Sequence, residues 1–240
     1  MTEHLLRIGV ENGVEGRSLV WALDHPGCFA YGADSAQAVV NILPAFLKYI
    51  EWANRHSPEC WLNEITDFDI RFTDTWEVYH INDRYESVAA GPNTRTVNAW
   101  FRDDWRPLTE EDVHRAGLLL QWARADLLEA VQGASDAELD AQHPGERWSV
   151  RGILKHVAGA EWWYLTRLGQ TTLRREELPE DAFARLQVVR QALLQALPGW
   201  VGCTTVLGVD GEFWSPRKLV RRALWHELDH VGHICRLLIA

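Results

Sequence analysis

Two histidines four residues apart, His226 and His230, stand in LWHELDHVGHICRLL at the end of the chain. In a helix that spacing puts both rings on one face, with Cβ atoms ~5–6 Å apart. Two imidazoles so placed can close on one divalent ion at ~2.0–2.1 Å each. A third histidine, His156, sits among Ile153, Leu154 and Val157 in SVRGILKHVAGAEWWYLTRL, near the apolar, inward-facing side of another predicted helix. A ring buried there needs partners for its nitrogens. A backbone carbonyl could satisfy it alone; with a histidine pair on a second inward-facing helix, shared coordination of a metal is the better account. Three protein ligands leave a position for water or substrate, the arrangement of catalytic rather than structural sites. Imidazole accepts zinc, nickel, iron or copper, with zinc or nickel the first candidates here.

HELDH also satisfies H-E-x-x-H, the zinc-protease pattern in which Glu227 would be the general base. That reading needs a further ligand downstream of the pair, and the ten residues after His230 supply none in the required arrangement. The third ligand has to come from upstream. Glu227, one step along the helix from His226, is turned away from it by ~100°. Glu161 and Tyr164 lie one and two turns beyond His156 and are candidate helpers at the open position, a polar contact between helices being the alternative for both. Arg217, Lys218, Arg221 and Arg222 form a basic run that could meet an anionic ligand but reads first as a solvated face. His114 and His143 have nothing to distinguish them from solvated residues.

Several elements must position these groups. LLRIGV, SLVWAL and CFAYG alternate as short strands between the turn-rich pieces ENGVEG and DHPG, predicting a three-stranded meander. Asp34 and Ser35 then offer cap oxygens to a helix running through Pro44, where a kink is expected. DFDIRFTDTWEVYHIND alternates again, for one or two more strands. From about Asn93 the character changes. Helices are predicted from Thr109 to Gln132, from Ser149, over DAFARLQVVRQALLQAL, and from Ser215–Pro216 to the C-terminus. An Asp210–Gly211 turn predicts a hairpin capping one end of those helices. The expected fold is therefore α+β: a small antiparallel sheet with one helix over residues 1–92, and a four-helix bundle over residues 93–240.

Composition narrows the function classes. The 240-residue chain carries 34 acidic against 24 basic residues, a formal charge of −10, which argues against nucleic-acid and anionic-membrane partners. The N-terminus lacks a signal-peptide layout and no stretch approaches a membrane span, so a cytoplasmic location is expected. Cys28, Cys60, Cys203 and Cys235 are scattered and read as apolar fillers. The 13 tryptophans read as core and interface bulk.

RWSVRGILKHVAGAEWWY resembles the second-helix pattern of the DinB-like superfamily: a tryptophan and serine, then a helix whose histidine is followed five residues on by glutamate. LWHELDHVGHICRLL resembles that family's last helix. The resemblance covers roughly residues 95 to 240 and implies His156, His226 and His230 as metal ligands, with His233 at a position more often held by glutamine. Fourth ligand, proton carrier and outer support stay open for His233. The resemblance further implies a homodimer and a metal-dependent S-transferase or isomerase acting on a small molecule. Its metal would bind a low-molecular-weight thiol such as mycothiol, bacillithiol or glutathione and favour the thiolate. Metal-assisted hydrolysis is the alternative, and a non-catalytic binding or regulatory protein with a structural metal is the third reading. DHPGCFAYGADSAQAVVNI is similar to HicB-type antitoxin domains, which implies a module reused as a binding or dimerising surface.

Overall fold

The computed structural model describes residues 4–239, and they divide into two compact units. The first comprises residues up to Arg106 together with Val206–Lys218; the second comprises Pro107–Thr205 and the segment from Leu219 onward. The shift in composition near Asn93 thus precedes the change in packing: Asp103 and Asp104 are buried in the first unit.

In the first unit β1 (His4–Val14), β2 (Arg17–Ala22) and β3 (Phe29–Gly32) form the expected antiparallel meander. The side chain of Asp34 accepts from Gln37 N and starts α1 (Ser35–His56), which continues through Pro44. Ala38, Ile42, Phe46 and Tyr49, on one face of α1, are buried. The chain then returns as β4 (Phe68–Glu77), which pairs parallel to β1 in the order β3-β2-β1-β4. The sheet is therefore mixed, not antiparallel as expected from the strand pattern. Alternation is the same in both pairings, and the direction of β4 is set by the long crossover through α1, which parallel neighbours require. A second sheet has the order β6-β5-β7, from β5 (Tyr79–Ile81), β6 (Ser87–Val88) and β7 (Arg95–Val97).

The predicted hairpin forms as β8 (Leu207–Val209) and β9 (Glu212–Trp214). It belongs to the first unit, where Glu212 Oε1 accepts from Asn98 N at 2.6 Å and from Asn98 Nδ2 at 3.0 Å. Its turn places Asp210 at φ 54° and Gly211 at φ 89°, the paired positive values of a type I′ turn. The positive φ favours glycine at 211, and a Cβ there would lie 2.1 Å from Ile81 Cδ1, so that side chain would have to turn aside.

The second unit is built from α2 (Glu110–Ala130), the short α3 (Asp136–Asp140), α4 (Val150–Arg167), α5 (Ala182–Ala196) and the bulk of α6 (Pro216–Ile239). Polar caps start each long helix: Thr109 for α2, Ser149 for α4, Asp181 for α5, and Ser215, whose Oγ accepts from Lys218 N, for α6. One apolar core joins them, with Leu127 from α2, Leu139 from α3, Ile153 and Leu154 from α4, Leu186 from α5 and Ile234 from α6. Among the described residues no helix is long and apolar enough to cross a membrane.

The basic run at the start of α6 is buried, not solvated: Arg217, Lys218, Arg221 and Arg222 are all under 10% exposed. Arg217 Nε donates to the Arg106 carbonyl at 3.1 Å, and Lys218 Nζ lies 3.6 Å from Glu212 and 4.6 Å from the Trp214 ring centroid. Local charge clustering resembles a wet face because the run's own spacing shows neither the turn back to Glu212 and Trp214 nor the Arg106 carbonyl, 111 residues before Arg217.

Candidate metal centre

α4 contributes His156 and α6 contributes His226 and His230, and one ring nitrogen from each lies within 4.8 Å of the other two. The Nε2 atoms of His156 and His226 are 3.0 Å apart. The rings stand edge to face, with centroids 4.6 Å apart for His226 and His230, 4.8 Å for His156 and His226, and 5.2 Å for His156 and His230. Trp148, just before the Ser149 cap, stacks on His156 at 4.3 Å between centroids and limits how that ring can turn.

Burial and neighbours keep all three rings neutral. Burial, then His230, His156 and Arg222, holds His226 well below the ordinary imidazole range. Burial, then His156 and His233, brings His230 to about 4. Burial and Arg147 lower His156. Neutral imidazole is the ligand form. The donor set suits a divalent ion in two further respects. Nitrogens each ~2.05 Å from a common ion at the tetrahedral angle lie roughly 3.3 Å apart, close to the spacing of the His156 and His226 pair. A hydrogen bond between those two rings would leave His230 Nδ1, which is buried and has no partner among the described residues.

The other candidate residues fall in different places. Tyr164 is buried with its ring 6.3 Å from that of His226, and both line the same pocket. His233 stacks near His230 at 5.9 Å, while its Nε2 lies 2.9 Å from Glu146 Oε2; it is outside the three-ring cluster. Glu161 faces away from the cluster into an ion network that short-range sequence reading misses. Its Oε2 accepts from Arg124 Nη2 at 2.9 Å and from Arg190 Nη2 at 2.8 Å, and its Oε1 accepts from Arg190 Nε at 2.8 Å. Glu227 closes the network, accepting from Arg124 Nε at 2.5 Å and from Arg190. All four side chains are under 10% exposed. Burial pushes the Glu161 carboxyl up, but Arg190 and Arg124 outweigh it and hold it below the usual carboxylate range. Each arginine also donates from Nη1 to a backbone carbonyl, Arg124 to that of Leu186 and Arg190 to that of Leu120.

The network joins α2 and α5 to the two histidine-bearing helices, with Glu161 five residues after His156 and Glu227 next to His226. Periodicity carries a signal for its arginines. Arg124 lies on the stripe of Leu120 and Leu127, and Arg190 on that of Leu186 and Leu193, all of which are buried. A charged residue on an apolar stripe has to find a partner.

A family model described as DinB superfamily matches residues 119–234, a span that takes in all three histidines and all four members of the ion network. The C-terminal part of the chain is thus similar to that superfamily. No curated protein matches the chain.

Proposed function

We propose that the protein is a metal-dependent enzyme of DinB-like type, in which His156, His226 and His230 hold a zinc or nickel ion inside a four-helix bundle. One observation carries the reading: three half-buried imidazoles from two helices converge beside an open pocket. A bound ion would act as a Lewis acid there, lowering the pKa of a ligated thiol or water. The protein's own residues would supply the rest. Trp148 limits the ring of His156, the Arg124, Glu161, Arg190 and Glu227 network holds the helices in register, and Tyr164 borders the space a ligand would fill.

The leading reaction is transfer or isomerisation that uses a low-molecular-weight thiol on a small electrophile. The match over residues 119–234 and the three-histidine cluster support it. On this reading residues 93–240 form the catalytic domain of a cytoplasmic homodimer. Residues 1–92 form a HicB-like module used as a binding or dimerising surface, supported by the meander that leads through Pro26–Gly27 and β3 into α1. Metal analysis of untagged protein, followed by assay of the metal-loaded form against an electrophile panel with and without added thiol, tests the proposal. A stoichiometric metal and conjugation that requires thiol are expected. Turnover of esters or amides without thiol would replace transfer by hydrolysis, and protein that binds no divalent ion would remove the proposal.

A further inference from the structure

A pocket of about 550 Å³ opens beside the histidine cluster, with His156 and His226 in its wall. That volume is within the range of small-molecule sites. The rest of the wall divides by chemistry. Lys155, Arg175, Arg185 and Arg222 bring four cations, and among the described residues no aspartate or glutamate lines it. This opposes the balance of the whole chain, whose formal charge is −10. Trp162, Trp163 and Trp225 add flat apolar faces. Trp162 is held by its indole N–H, which donates to the Leu173 carbonyl at 2.8 Å, and the Arg222 guanidinium sits over Trp225 at 4.5 Å.

Little in the protein neutralises the outer cations. Arg175 is exposed and has no ion pair among the described residues. Lys155 and Arg185 reach Glu180 at 3.5 and 3.8 Å, but Glu180 is 92% exposed. Such water-screened pairs contribute little and exchange readily. Like charges gathered on one wall repel, and an anion entering between them relieves the repulsion while gaining charge-assisted hydrogen bonds. The indole faces favour an apolar, planar body behind that anion.

Resting on the reading of the histidines as the reactive centre, we infer that this pocket takes an organic anion, a carboxylate carried on an aromatic or similarly flat body, as the substrate presented to that centre. Lys155 and Arg175 are the specificity-determining cations at its outer side, and the tryptophans select the body.

Calorimetric titration of the full chain with 2-naphthoate and with its neutral isostere 2-naphthamide tests the inference on wild-type protein. The carboxylate is expected to bind about tenfold more tightly, the worth of one charge-assisted contact. Arg175→Met and Lys155→Met, at partly or fully exposed positions, should each weaken naphthoate several-fold and leave naphthamide unchanged. Equal affinity for the two probes, or variants that weaken both alike, would overturn the assignment. Metal uptake by equilibrium dialysis, measured separately, distinguishes the two levels. Uptake with no preference for the carboxylate overturns the anion pocket alone. A carboxylate preference without uptake overturns the metal reading and, with it, the ligand's role as substrate.

Discussion

Replacing Glu227 by glutamine probes the network that holds the histidine-bearing helices. The wild-type network is neutral, two guanidinium groups against two carboxylates, all under 10% exposed. Glu227→Gln keeps shape and leaves one buried positive charge without compensation. Removing one partner of a buried ion pair costs about 3–5 kcal/mol, several times the worth of an exposed pair. With a urea dependence of roughly 2 kcal/mol per molar, the midpoint should fall by about 1.5–2.5 M. The double variant Arg124→Met, Glu227→Leu removes one charge of each sign and leaves Arg190 paired with Glu161 through both carboxylate oxygens. It forfeits the bond from Arg124 to the Leu186 carbonyl, worth about 1 kcal/mol, so it should be more stable than Glu227→Gln despite the extra substitution. Urea denaturation followed by far-ultraviolet circular dichroism at pH 7 measures both. A single variant costing under 1 kcal/mol, or a double variant whose cost exceeds that of the single, would refute the compensation argument. The same variant bears on the H-E-x-x-H pattern: Glu227 faces Arg124 and Arg190, so its loss should act through helix register and not through a missing base.

Three further outcomes are expected. The metal-free protein should lose stability on acidification. The three imidazoles are held neutral in the native state and titrate near 6.5 when unfolded, so the unfolded chain takes up protons first as pH falls. The loss begins near pH 6.5 and, for His230, is complete below about 4, reaching at most about 3.4 kcal/mol for that ring; thermal melts from pH 8 to 4 measure it. His156→Ala, His226→Ala and His230→Ala should each abolish stoichiometric metal uptake, whereas His233→Ala, whose ring is bonded to Glu146, should retain it; dialysis with metal analysis checks this. Gly211→Ala should destabilise the first unit by at least about 1 kcal/mol, because it combines a positive φ with a 2.1 Å approach to Ile81 Cδ1, and urea unfolding reads the loss.

The helices and their starts were legible from the sequence because their signals are local. Thr109, Ser149, Asp181 and Ser215 each satisfy a backbone donor within three residues, so short windows contain the whole interaction. The pairing of His226 with His230 is local in the same way, set by the pitch of one helix, and the apolar neighbours of His156 identified its inward face. The approach of His156 to that pair spans 70 residues of chain, and so depended on how α4 packs against α6. Tertiary structure alone decided the rest. β4 runs parallel to β1 because a crossover through α1 sets its direction, which strand alternation does not encode. The basic run on α6 is enclosed partly by a distant group, the Arg106 carbonyl 111 residues before Arg217, and Glu161 and Glu227 meet two arginines that lie far away in sequence, as with Arg124 and Glu227, 103 residues apart. A side chain's type and spacing state what it needs; which distant group meets that need is determined only when the helices pack.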